Sequence, residues 1–187
     1  MTVRVTLISA AMSEAMRQAR FDDDGPLDPA GLGQAREAAG GIRVAGQVLV
    51  SPSARCRETA EALGLPASAP SAPGGRDMGG WRGRSLDEVA AAEPGAVARW
   101  LADPDFAPEG GESLIDLLAR VATWLDGLAP EAGRVVVVTE PDVVRAAVHH
   151  ALGAPAPAFW RLDVEPLSVT DLSGRAGRWN VRFGRPA

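Results

Sequence analysis

Lysine is absent from the chain, so its fixed positive charge comes entirely from arginine, 19 residues against 24 acidic ones. The arginines are spread along the sequence and form no block, which argues against a nucleic-acid-binding arm. Cysteine occurs once, as Cys56. That excludes an internal disulfide and any cysteine-based zinc cluster. Histidine occurs only at His149 and His150. No apolar run approaches the ~20 residues that a bilayer-spanning helix requires. The opening Met1 to Ile8 is too short an apolar stretch for a signal peptide and lacks a typical cleavage site. These shortages predict a cytoplasmic chain with neither nucleic acid nor membrane as partner.

What is present suits a globular protein. The chain has 187 residues, 46% of them hydrophobic, and a net charge of −5. That length supports one α/β domain with a real core, spanning residues 1–187. Val3 to Ile8 reads as a first strand. A polar segment then runs to the turn-rich Asp22-Asp23-Asp24-Gly25-Pro26. Asp28 caps a helix with Pro29 at its first position. Gln47 to Val50 is a short strand, and a helix follows from about Ala54 to Leu63. Gly64 to Gly75 reads as a surface loop. Ser85 and Glu88 form a capping box, predicting one helix to about Trp100. Ser113 caps an amphipathic helix bearing Leu114, Leu117, Leu118, Val121, Trp124, Leu125 and Leu128.

Val135 to Val138 has the pattern of a strand buried on both faces in a parallel sheet. A helix from about Asp142 to Leu152 follows it. Two further strands are expected near Ser168 to Leu172 and Trp179 to Phe183. The alternation predicts an α/β fold: a mostly parallel central sheet, helices on both faces and an antiparallel end.

In order along the chain stand Leu7-Ile8-Ser9-Ala10, Arg20-Phe21, Pro26-Leu27-Asp28 and Gly31-Leu32-Gly33-Gln34-Ala35. They are followed by Ser51-Pro52-Ser53-Ala54-Arg55, Gly79-Gly80-Trp81-Arg82-Gly83, Gly110-Gly111-Glu112-Ser113 with Arg120, and the valine strand ending in Thr139-Glu140-Pro141. Taken together they resemble the histidine phosphatase (phosphoglycerate mutase-like) superfamily over nearly the whole chain. In that family the first strand ends in Arg-His-Gly and the valine strand in Thr-His-Gly. The resemblance implies a neutral histidine that attacks a phosphoryl group. Arginines and a second histidine hold its oxygens, and a carboxylic acid protonates the leaving group.

Position by position, this chain departs from that machinery. Ala10 stands at the nucleophile, Ser9 at the arginine before it and Glu140 at the second histidine. Arg55 retains the second arginine. The general-acid glutamate aligns near Gly75, with Asp77 two residues away. The retained charges sum to about zero, and Arg55 and Glu140 are free to pair with each other. The expectation is a degenerate member of the family: a binding or regulatory pseudophosphatase with no confident catalytic residue. A small neutral or cationic ligand is expected in the former phosphate pocket, near Ser9, Ser13, Arg55, Asp77 and Glu140.

No cofactor or metal is expected, and a homodimer is compatible with the sequence. Two alternatives stay open. One is altered chemistry at the same pocket, Glu140-based or metal-assisted and still able to hydrolyse a phosphoester, drawing on Ser9, Ser13, Glu14, Asp77, Glu140 or Asp142. The other is a partner-binding protein whose pocket is filled by Met12, Met16 or Trp81. His149 and His150 read as residues near a helix C-terminus, Cys56 as a buried small side chain, and the tryptophans as packing residues.

Overall fold

Four consecutive valines can be buried together only where both faces of a strand are covered, and that is where the chain puts them. The computed structural model describes residues 2–42, 44, 46–66 and 72–182. The elements in order are β1 (Val3–Ser9), α1 (Glu14–Arg17), α2 (Pro29–Glu37), β2 (Gln47–Val50), α3 (Ala54–Ala62), α4 (Leu86–Ala92), α5 (Ala96–Ala102), α6 (Leu114–Asp126), β3 (Arg134–Thr139), α7 (Pro141–Leu152), β4 (Val169–Arg175) and β5 (Arg178–Arg182).

The sheet order is β2-β3-β1-β4-β5. β3 pairs in parallel with both β1 and β2, whereas β4 runs antiparallel to β1 and β5 antiparallel to β4. Only β4 therefore opposes the common direction, so the sheet is mixed and mostly parallel. On one face Val135 and Val137 join Val3, Val5 and Leu7 beneath α6 and α7, together with Phe159, Leu172 and Trp179. On the other face Val136 and Val138 pack with Ile8, Ala10, Val48 and Val50 against Cys56 and Ala60 of α3 and Leu63 at its C-terminal end. Helices thus lie on both faces.

Local signals set most element boundaries. Ser53, Ser85 and Ser113 each accept a hydrogen bond from a backbone N–H in the first turn of α3, α4 and α6. The predicted helix from Ser85 to Trp100 is in fact two. Pro94-Gly95 divides it, and Gly95 starts α5 at φ +84°, a conformation that costs glycine little. The polar segment after β1 holds a helix not expected there, α1, capped by Ser13. Four residues are too few to show helical periodicity. Part of the expected loop at 64–75, and Phe183 of the last expected strand, lie outside the described residues.

Asp28 ties α1 to α2. Its Oδ1 accepts from Gly31 N at 2.7 Å and its Oδ2 from Arg17 at 3.0 and 2.5 Å. The cap bond to Gly31 and the Arg17 guanidinium outweigh burial and hold the Asp28 carboxyl below the ordinary aspartate value. Asp28→Ala is expected to cost about 1–2 kcal/mol in urea denaturation at neutral pH. A depressed carboxyl contributes above its unfolded pKa and loses that contribution as pH falls through the folded value. The difference between wild type and variant is therefore expected to shrink in acid.

Candidate functional site

The C-terminal ends of β1, β2 and β3 meet at one edge of the sheet, the edge at which parallel α/β sheets bind ligands. Backbone and hydroxyl bonds lock the three ends together. Ala10 N donates to Thr139 O at 2.9 Å, Ser51 N donates to Val138 O at 2.9 Å, and the Ser51 and Thr139 hydroxyls lie 2.7 Å apart. Ala10 is fully buried with its methyl in the apolar cluster under α3. Ser9 is also fully buried, its Oγ without a hydrogen-bond partner among the described residues.

Glu140 sits at the centre of this edge, between β3 and α7. Although at the N-cap position, its side chain makes no capping bond. It turns into the protein, 2% exposed. Its carboxylate ion-pairs with Nη2 of Arg55, accepts from the Ser53 hydroxyl, and accepts from Cys56 Sγ at 3.4 Å. Arg55 also faces Asp22, 3.6 Å away. Burial alone would lower the Arg55 pKa, but Glu140, by charge and hydrogen bond, and Asp22 together raise it above the ordinary arginine value. The buried guanidinium is therefore committed to carboxylates of its own chain. Gly75 makes room for this arrangement: a Cβ there would lie 3.0 Å from Glu140 Cγ and 3.3 Å from Cβ.

Beside Glu140 lies a cleft with two adjoining lobes of about 260 and 270 Å³, sharing Asp22, Gly75, Arg76 and Met78. Asp77 and Glu140 line the first lobe, and Arg55 and Asp142 the second. Arg55, Asp77 and Glu140 thus all line the two-lobed cleft. The structure corrects the expectation for Ser9 and Ser13, which do not line the cleft. Ser9 is sealed beneath it, and Ser13 is spent capping α1 through a 3.4 Å bond from Met16 N.

Arg76, not singled out from the sequence, is 6% exposed and lines both lobes. It donates to Glu112 O at 3.0 Å and to Phe106 O at 3.1 Å, while its Nη1 has no hydrogen-bond partner among the described residues. An arginine flanked by Gly75 and Asp77 carries no burial signal in sequence, because the loops that enclose it come from elsewhere in the chain.

The Gly110-Gly111-Glu112-Ser113 motif explains how Arg76 is held. Arg120 bonds the carbonyls of Gly74 and Gly75 at 2.8 Å each and grips Glu112 at 2.5 and 2.9 Å. Glu112 N in turn donates to Asp77 O at 2.8 Å. A Cβ on Gly111 would lie 2.7 Å from Asp77 O, so glycine permits the close approach. Motif and arginine together form a clamp on the loop that walls the cleft. Two carboxyls of the cleft have raised pKa values. Burial and the Glu140 charge lift Asp22 against the pull of Arg55. Burial, with the Glu140 charge adding, likewise lifts Asp142, which Arg145 opposes.

Both histidines lie elsewhere. They sit eight and nine residues beyond Pro141, roughly 12 Å along α7, and His150 Nε2 is 3.1 Å from each Asp126 oxygen. No histidine stands at the C-terminal edge of the parallel strands. Cys56 is fully buried, and burial and the Glu140 charge push its thiol well above the ordinary value, which leaves it unreactive. Trp81 packs against Phe21, Trp100 and Phe106 and bonds Glu93 at 3.0 Å, so it does not fill the cleft. Met16 lines the second lobe. Among the described residues no three or more of His, Cys, Asp and Glu come together to hold a metal ion. No helix among them is long and apolar enough to cross a membrane.

The family model of the histidine phosphatase superfamily, branch 1, matches residues 10–184. A bifunctional protein of Mycobacterium tuberculosis is 30% identical over 181 residues, covering 90% of this chain and 50% of that protein. The chain thus spans half the length of that relative. A glucosyl-3-phosphoglycerate phosphatase of Mycolicibacterium vanbaalenii is 29% identical over 166 residues, covering 72% of this chain and 73% of that protein. The solved structure of mycobacterial hydrolase 1 superposes with a TM-score of 0.82 at 25% identity over 98% of each chain.

Proposed function

Since the chain belongs to the histidine phosphatase superfamily, we propose that it keeps the family scaffold without phosphohistidine chemistry and serves as a binding or regulatory pseudophosphatase. The observation that carries this reading is the Glu140 carboxylate, buried on Arg55, Ser53 and Cys56. In the family a phosphate anion belongs beside that arginine. Here an internal carboxylate ion-pairs with that arginine, whose Nε has no hydrogen-bond partner among the described residues, and an incoming dianion meets its negative charge.

Two further observations support the reading. Ala10 offers a methyl where the family has a nucleophile. Gly75, near which the family's acid aligns, has no side chain to crowd the inward-turned Glu140. The remaining cleft, rich in both arginines and carboxylates, suits a small ligand of low net charge.

The test is steady-state hydrolysis of p-nitrophenyl phosphate and glucosyl-3-phosphoglycerate by the purified chain. The expected rate equals that of buffer. Where a family enzyme works through a positioned nucleophile and its partners, removing such a set costs on the order of 10⁶ in rate.

A second reading is phosphoester hydrolysis by altered chemistry at the same cleft. Two things favour it. The relative from Mycolicibacterium vanbaalenii is named as a phosphatase. Asp22 and Asp142, both lining the cleft, have raised pKa values suited to protonating a leaving group. Turnover above buffer that is abolished by Asp22→Asn or Glu140→Gln would establish this reading in place of the first.

A further inference from the structure

Among the described residues, one half of the sheet has a face that no helix covers. Along β1, β3, β4 and β5 the residues Val5, Val135, Leu172 and Trp179 point into the core beneath α6 and α7. Strand alternation sends their neighbours to the opposite face. There α3 covers β2, β3 and the end of β1. Toward β4 and β5 no described helix covers the sheet. Instead a groove of about 310 Å³ opens, lined by Arg4, Thr6, Arg134, Asp171, Ser173 and Arg182 among others. Arg175 and Arg178 are exposed on the same face, in register with each other.

The charge on this face is lopsided. Arg4, Arg134, Arg175, Arg178 and Arg182 share it with the single carboxylate of Asp171, which accepts from Thr6 Oγ1 at 2.6 Å. The chain as a whole carries −5. Elsewhere Arg17, Arg20, Arg55, Arg84, Arg99, Arg120 and Arg145 each pair with a carboxylate, whereas among the described residues Arg36, Arg57, Arg76, Arg82 and Arg161 are scattered and do not. Among the described residues none of the five arginines on the sheet face pairs with one.

Two pairs of these arginines stand directly opposite each other across adjacent strands, Arg4 with Arg134 and Arg175 with Arg178. Neighbouring strands are about 4.8 Å apart, and like charges so placed repel. An anion seated between them reverses that repulsion, and the planar guanidinium fork matches phosphate oxygens. Among the described residues the face offers no aromatic platform, because Trp179 is turned into the core. That disfavours base stacking and leaves the phosphate group itself as the feature recognised. Sequence separation hides the cluster, since strand pairing alone brings Arg4, Arg134 and Arg182 together.

We propose that this groove is a second binding site, distinct from the cleft at Glu140, for a small ligand bearing adjacent phosphate groups, seated between Arg4, Arg134 and Arg182. The test is calorimetric titration of the full chain with inorganic tripolyphosphate at low salt. The comparison uses the double variant Arg4→Gln/Arg134→Gln, with Arg99→Gln on α5 as a surface-charge control. Saturable binding is expected in wild type and in Arg99→Gln, weakened roughly tenfold or more in the double variant. All three changes are on exposed side chains, and thermal melts without ligand check that each variant is folded. Absence of binding to wild type, or binding that the double variant retains, would overturn the proposal. So would tighter, length-dependent binding of a mixed-sequence single-stranded oligonucleotide, which would assign the face to nucleic acid.

Discussion

Arg55→Ala is expected to destabilise the protein by about 3–5 kcal/mol, far more than the loss of an exposed arginine. The side chains of Arg55 and Glu140 are only 8% and 2% exposed. Removing the guanidinium leaves a buried carboxylate with two neutral donors, Ser53 and Cys56, and Asp22 as a further negative charge nearby. The cost is chiefly that of the uncompensated charge, so it should largely vanish when the charge is removed too. Arg55→Met/Glu140→Gln is expected to recover most of the lost stability, because a neutral pair of similar volume carries no such penalty. Urea denaturation of wild type, Arg55→Met, Glu140→Gln and the double variant gives the coupling directly. If Arg55→Ala costs under about 1 kcal/mol, the ion pair behaves as a surface contact, and Glu140 does not satisfy a buried cation.

Glu140→Gln is expected to have the opposite character at the site. It keeps the side chain's shape and removes the negative charge that faces an incoming anion. Arg55 then retains only Asp22 as an ionic partner, at 3.6 Å. Inorganic phosphate should gain affinity beside Arg55 by roughly tenfold or more over wild type, since relieving one charge contact in a partly buried site is worth more than about 1.4 kcal/mol. Calorimetry with phosphate checks this in an Arg4→Gln/Arg134→Gln background, which removes the proposed sheet-face site from the signal. Adding Arg55→Met should abolish the gain. Equal phosphate affinity in wild type and Glu140→Gln would mean that the carboxylate does not guard the site.

Much of the fold was legible because its signals are local. Asp28-Pro29, Ser53, Ser85 and Ser113 announce helices through side chains that reach only a few residues. The valine run of β3 declares burial on both faces by composition alone. The site was legible where the resemblance fixed positions: Arg55 and Glu140, far apart in the chain, lie together and form an ion pair. What sequence could not give depends on contacts between distant segments. Ser9 is sealed because β1 ends inside the sheet, between β3 and the chain approaching β4. Arg76 becomes a cleft residue only because Glu112 and Arg120 clamp its loop. Gly75 acquires meaning only from the position of the Glu140 side chain. The basic sheet face likewise appears only once β1, β3, β4 and β5 are paired.

The most direct measurement of the central claim is the intact mass of the purified chain after incubation with p-nitrophenyl phosphate or acetyl phosphate, kept at alkaline pH because phosphohistidine is acid-labile. No histidine stands at the strand ends beside Arg55 and Glu140, so the account predicts an unchanged mass over the whole time course. A stoichiometric phosphoryl adduct, wherever on the chain it maps, would contradict it.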